Sequence, residues 1–167
     1  NVSKHDRDGS PSTTQSIHAH RAILSFTSAF FRRMFGSGMR ECTEREIEIV
    51  DTDYDAFYTM LEYLYTGELL IPPSGPASLY KALHRYEAEQ PAQDFALQVY
   101  AASLTPGTFW QRMEADRLYD ELLRALTTYA ENNSPSLLAE EAFVVGLKTK
   151  LYDDTALASI VLGLAKK

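Results

Sequence analysis

The chain has 167 residues, 45% of them hydrophobic, and a formal net charge of −7, which suits one well-buried domain with added helices and hardly two. No apolar run approaches the ~20 residues of a membrane span, and the stretch from Asn1 to Ser16 is too polar for a signal peptide. A soluble, intracellular protein, cytoplasmic or nuclear, is therefore expected. A single cysteine, Cys42, excludes an internal disulfide and a cysteine-built zinc cluster.

Charge is unevenly placed. Residues 1 to 50 hold seven basic and six acidic side chains, leaving nine basic and seventeen acidic in residues 51 to 167. With Arg32-Arg33 the only basic pair near the front, contact with a nucleic-acid backbone is not expected.

Residues 3 to 16 are rich in Asp, Gly, Ser, Pro and Thr and read as a hairpin tip or surface loop. Ile17 and Ala19 then fit the inward face of a flanking strand. Ala22, Ile23, Phe26, Phe30, Phe31, Met34 and Phe35 have helical spacing, which predicts two short helices meeting near Ser28 and ended by Gly36 and Gly38. Arg45 to Val50 alternates charged and β-branched residues, the pattern of a half-buried strand. Asp51, Thr52 and Asp53 stop it and offer caps to a helix whose apolar stripe is Tyr54, Phe57, Met60, Leu61, Leu64 and Tyr65, with Gly67 at its end.

Pro72 to Pro76 predicts a corner or short linker. Beyond it the chain reads as helical. Leu79, Leu83 and Tyr86 suggest one helix, and Phe95, Val99 and Tyr100 a second that fails near Thr105-Pro106-Gly107. Leu118, Leu122, Ala125, Leu126 and Tyr129 form a third stripe, closed by Asn132 to Pro135. Leu138, Ala142 and Val145, then Leu157, Ile160, Val161 and Leu164, suggest two more helices. No repeat period is present, so a solenoid is not expected.

The chemistry-bearing residues point away from catalysis. Ser25, Ser28 and Ser37 sit in no nucleophile-elbow pattern, and Gly36-Ser37-Gly38 lacks the Lys-Ser/Thr of a phosphate loop. Glu140-Glu141 and Asp153-Asp154 are adjacent in sequence and read as solvated faces. His18 and His20 supply at most two ligands of one metal. No metal or cofactor is expected. Phe109-Trp110, followed by Arg112, either anchors a peptide partner or closes a hydrophobic core.

Taken in order, the series His18-Ala19-His20-Arg21 running into Ala22, Ile23 and Leu24, then Ser28, Phe30, Phe31, Arg32, Met34 and Phe35, the Glu46-Ile47-Glu48-Ile49 alternation, and Phe57 to Tyr65-Thr66-Gly67 resembles a BTB/POZ domain over about a third of the chain. The resemblance implies an α+β fold, a small β-sheet flanked by a cluster of α-helices, with extra C-terminal helices. Its core would span residues 1–73. Residues 74–167 would be the helical remainder, with an insertion around 74–112 and the family's short helix pair at 115–131 and 137–151. Two departures stand out: Asn1-Val2 falls near the end of the family's first strand, and the loop at residues 3 to 16 is longer than its usual turn.

The resemblance further implies a non-catalytic adaptor that self-associates and recruits a cullin-3 ubiquitin ligase, with proximity as its mechanism. Met39 and Glu41 occupy the place where cullin-binding members carry a hydrophobic-x-Glu motif, Met39 as the apolar anchor and Glu41 fixing the loop. The alternative is a structural or transcriptional-regulator oligomerisation module with no ligase role.

Overall fold

Ser28 joins two short helices, and much of the fold follows from how it does so. In the computed structural model, which describes residues 2–3, 15–37 and 46–150, helix α1 spans Arg21–Thr27 and α2 spans Ala29–Gly36. The Ser28 N–H closes α1 on the Leu24 carbonyl at 3.0 Å. Its hydroxyl accepts from the Phe31 N–H at 3.3 Å to open α2, and donates to the Tyr86 carbonyl at 2.6 Å. Leu24 and Phe31 are buried, while Phe26, two positions from Leu24 in the same helix and thus across it, is 84% exposed. The expected inward place of Phe26 is corrected accordingly.

The chain divides into two compact units, residues 1–96 and 97–167. In the first, strand β2 (Ile47–Glu48) pairs in parallel with β1 (Val2–Ser3), Val2 opposite Ile47 and Ser3 opposite Glu48. Period-two burial persists past the ladder, since Ile49 is buried and Glu48 and Val50 are exposed. Ile17 and Ala19 are half-buried between exposed His18 and His20, yet this segment is irregular and not a strand. Of the expected small sheet, two short strands are present among the described residues, and helices dominate.

Helix α3 spans Tyr54–Thr66. The Asp53 carboxylate caps it by accepting from the Ala56 N–H at 2.9 Å. Gly67, with φ 75°, ends it in the left-handed conformation that glycine adopts without a Cβ penalty. Phe57, Met60, Leu61 and Leu64 are buried. Tyr65, expected with them, is exposed because its hydroxyl serves another segment, described below. After the Pro72–Pro73 corner, α4 (Pro76–Arg85) begins with Pro76 in its first turn and buries Leu79, Tyr80 and Leu83. Tyr86 follows as the hub of the core. Its ring stacks on Phe31 at 5.5 Å and meets Phe30 and Phe57 edge-on at 5.1 and 5.0 Å.

Helix α5 (Gln90–Ala102) crosses the boundary between the units. It buries Ala92, Ala96 and Tyr100, one i, i+4 row, and leaves Phe95 exposed, contrary to the expected stripe. In the second unit a 3-10 turn (Pro106–Thr108) leads into α6 (Phe109–Asp116), followed by α7 (Asp120–Asn132), α8 (Ser134–Ala139) and α9 (Glu141–Lys150). Leu122, Leu126 and Ala130 line the buried face of α7. Leu118 precedes that helix and is 85% exposed, so it does not belong to the stripe. Leu137 and Phe143 face inward instead of the expected Leu138 and Val145, because Glu140 breaks the helix between them and shifts the phase. The expected last helix, Leu157 to Leu164, lies outside the described residues.

The aromatic pair at 109 and 110 belongs to this core. Phe109 is fully buried, its ring 5.3 Å from that of Phe143, and Trp110 stacks on Phe143 at 5.5 Å while its indole N–H donates to the Phe143 carbonyl at 3.2 Å. Gly146 lies against the same indole, where any Cβ would overlap it. These contacts favour core closure over peptide anchoring. Below Arg112, the buried Tyr100 hydroxyl donates to the Asp116 carboxylate at 2.9 Å.

Candidate partner-binding site

The first and last of the stretches that carry the family resemblance are joined by side-chain bonds that sequence reading did not anticipate. His20 donates its backbone N–H to the Tyr65 hydroxyl at 2.6 Å, and its Nδ1 lies 3.1 Å from the same oxygen. The hydroxyl accepts from the backbone and also pairs with Nδ1, and which of the two donates in that second contact follows the imidazole tautomer. This ties the start of α1 to the last turn of α3 and accounts for the exposure of Tyr65. His20 is thus internally hydrogen-bonded. Arg32 folds back over α1, donating to the Ser25 and Phe26 carbonyls at 2.9 and 3.0 Å and satisfying acceptors that the end of a helix leaves open.

The opposite face of α2 is fastened at the Tyr86 corner. Arg33 grips Glu87 through both guanidinium nitrogens, and Glu87 itself has a left-handed backbone, φ 49°. That guanidinium holds the Glu87 carboxyl below its usual range, and the carboxylate raises Arg33. Both side chains are exposed, so the pair orients more than it stabilises. Arg85 donates to the Asp51 carbonyl at 2.9 Å, and the Tyr86 hydroxyl pairs with Thr52 at 3.1 Å. Asp51 has φ 55°; of the three expected caps, only Asp53 caps α3, while Asp51 and Thr52 shape the turn before it.

Met39 and Glu41 lie outside the described residues. What the structure gives is their frame. The segment leaves from the end of α2, where the Ser37 hydroxyl donates to the Met34 carbonyl at 2.9 Å and Phe35 stacks on Phe31 beneath the Arg21 guanidinium. It returns at β2. Arg32, Arg33, Glu87 and Tyr65 were missed as a bonded framework because their partners are 6 to 54 positions away, beyond any local spacing signal.

A shallow recess lies elsewhere on the first unit, lined by Thr27 at the end of α1, Tyr63, Leu64 and Gly67 at the end of α3, and Glu89. Burial and the Glu89 charge both push the Tyr63 phenol up. Among the described residues no three His, Cys, Asp or Glu side chains gather as metal ligands, and no helix is long and apolar enough to cross a membrane.

Comparison with known proteins bears on this frame. Residues 11–97, just over half of the chain, match the BTB/POZ domain. The Danio rerio Kelch repeat and BTB domain-containing protein 8 is 29% identical over 143 residues, 82% of this chain and 23% of that protein. Rattus norvegicus Kelch-like protein 36 is 34% identical over 70 residues, 42% of this chain and 11% of its own. Mus musculus TD and POZ domain-containing protein 3 is 46% identical over 50 residues, 30% of this chain and 14% of its own. The chain therefore spans less than a quarter of the length of these relatives. The matched region contains α1 to α4, the His20–Tyr65 tie and the Tyr86 hub, the parts that fold as one unit, and relatives of this kind support a protein-interaction domain. The chain belongs to the BTB/POZ domain family.

Proposed function

We propose that this chain is the interaction domain of a non-catalytic adaptor that self-associates and recruits a cullin-3 ubiquitin ligase. The observation that carries the reading is the BTB/POZ match over residues 11–97, supported by relatives named for Kelch repeats. Met39 is the apolar anchor and Glu41 the residue that fixes its loop, presented between α2 and β2. The domain holds a substrate carried by a partner or another region close to the charged conjugating enzyme, raising its local concentration. No residue of this chain performs chemistry in that scheme, and it calls on no cofactor, nucleic acid or membrane. Cytoplasm and nucleus are where such a ligase adaptor would act.

The test is calorimetric titration of the chain with the N-terminal region of cullin-3, with light scattering on each sample. A central apolar anchor contributes about 2 kcal/mol or more, so Met39→Asp is expected to weaken binding about thirtyfold while the fold persists. A folded, self-associated wild type that does not bind cullin-3 would instead make this an oligomerisation module of a scaffold or transcriptional regulator.

A further inference from the structure

Two helices end at the same place on the first unit. Thr27 closes α1 and Gly67 closes α3, and both line the recess with Tyr63, Leu64 and Glu89. A helix C-terminus carries a partial negative charge on its last carbonyls, and proteins often offset it with Lys, Arg or His in the final turn. Neither helix has a basic residue in its last turn. At α1 the Arg32 guanidinium takes over that task from outside, on the Ser25 and Phe26 carbonyls. At α3 the charged lining residue is Glu89, which stands at the N-terminus of α5, whose positive end offsets part of its charge. Among the described residues no cation pairs with that carboxylate.

The recess has a volume of about 140 Å³, below the ~300 Å³ at which small-molecule and cofactor sites begin. Its size suits one side chain. Of its lining residues Leu64 is buried and apolar, while Glu89 is exposed and its charge acts on the Tyr63 phenol. An aliphatic stem ending in a cation matches such a lining.

We propose that this recess is a docking pocket for a lysine or arginine side chain of a partner peptide, with Glu89 as its counter-ion. The proposal rests on the chain being a protein-interaction domain, and it names a second surface with its own partner chemistry. Negative potential from α3 and Glu89 selects the cation. Leu64 packs against the aliphatic stem of that side chain.

The test is selection from a displayed library of random linear peptides on the wild-type chain, Glu89→Gln and Glu89→Lys. The wild type is expected to enrich peptides with one fixed Lys or Arg. A synthetic copy of the strongest peptide is expected to lose about fivefold in affinity on Glu89→Gln, the worth of a partly exposed ion pair, and Glu89→Lys should remove the basic preference altogether. Enrichment of apolar residues without a cation, or the same peptides on all three chains, overturns the proposal. So does salt-sensitive self-association lost in Glu89→Gln without any peptide selection, which would give the recess to a second copy. Both variants alter an exposed side chain, and matching circular dichroism spectra establish that they fold. Cullin-3 binding read through Met39 is unaffected by either change, so the recess and the adaptor reading fail separately.

Discussion

Ser28 shows how much one hydroxyl can decide. It caps α2, ends α1 and binds the Tyr86 carbonyl, and it is 1% exposed. The sequence reading placed the meeting of two short helices near this serine. It carried no sign of the acceptor 58 positions away. Ser28→Ala removes a helix cap and leaves a buried carbonyl without its donor, and these together predict a loss of about 2 kcal/mol. The loss should be read as a lower urea midpoint at unchanged slope. An unchanged midpoint would mean that α2 needs no cap and that Tyr86 finds another donor.

At the scale of elements, helices with clear signals at both ends were read most faithfully. Helix α3 has Asp53 at one end and Gly67 at the other, and its buried residues Phe57, Met60, Leu61 and Leu64 fall on the expected stripe. Next to a helix break the inward face was misplaced: Phe26 before Ser28, Leu118 before α7, and Leu138 and Val145 around Glu140 are all exposed. Phe95 was misread for another reason, since α5 buries a row of alanines with Tyr100 and presents its bulk outward. Residue size alone did not locate that face. The close approach of α9 to Trp110 was invisible as well, because Gly146 marks it only by what it lacks. Gly146→Ala forces a methyl into the indole and is expected to cost about 1–3 kcal/mol, with a shifted Trp110 emission in the folded state. A variant as stable as the parent would show that α9 can move away freely.

For the whole molecule, the family was legible in the order of its motifs, whereas the recess was not. Its residues 27, 63, 64, 67 and 89 come from three segments and share no spacing. The two units each bury a tyrosine whose phenol is pushed up, Tyr86 by burial and Tyr100 by burial and the Asp116 charge. In the unfolded chain these groups ionise near 10, so above that pH the unfolded state gives up protons that the folded state keeps. Stability from both tyrosines is complete below about pH 10 and is lost as pH rises toward their folded values. Each contributes a slope of up to ~1.4 kcal/mol per pH unit in that window. Denaturant unfolding at pH 9, 10 and 11 checks it, and a flat profile would mean that the phenols reach solvent. The β1–β2 pairing has a consequence of another kind, in time. Val2 and Ile47 are 45 positions apart in sequence, so joining them closes a loop whose length-dependent entropy is roughly 3 kcal/mol. A two-residue ladder returns no more than that, at about 1 kcal/mol per bond. The sheet is therefore expected to form only once α1 and α2 have shortened the path between its strands, late in folding, and to open at little cost.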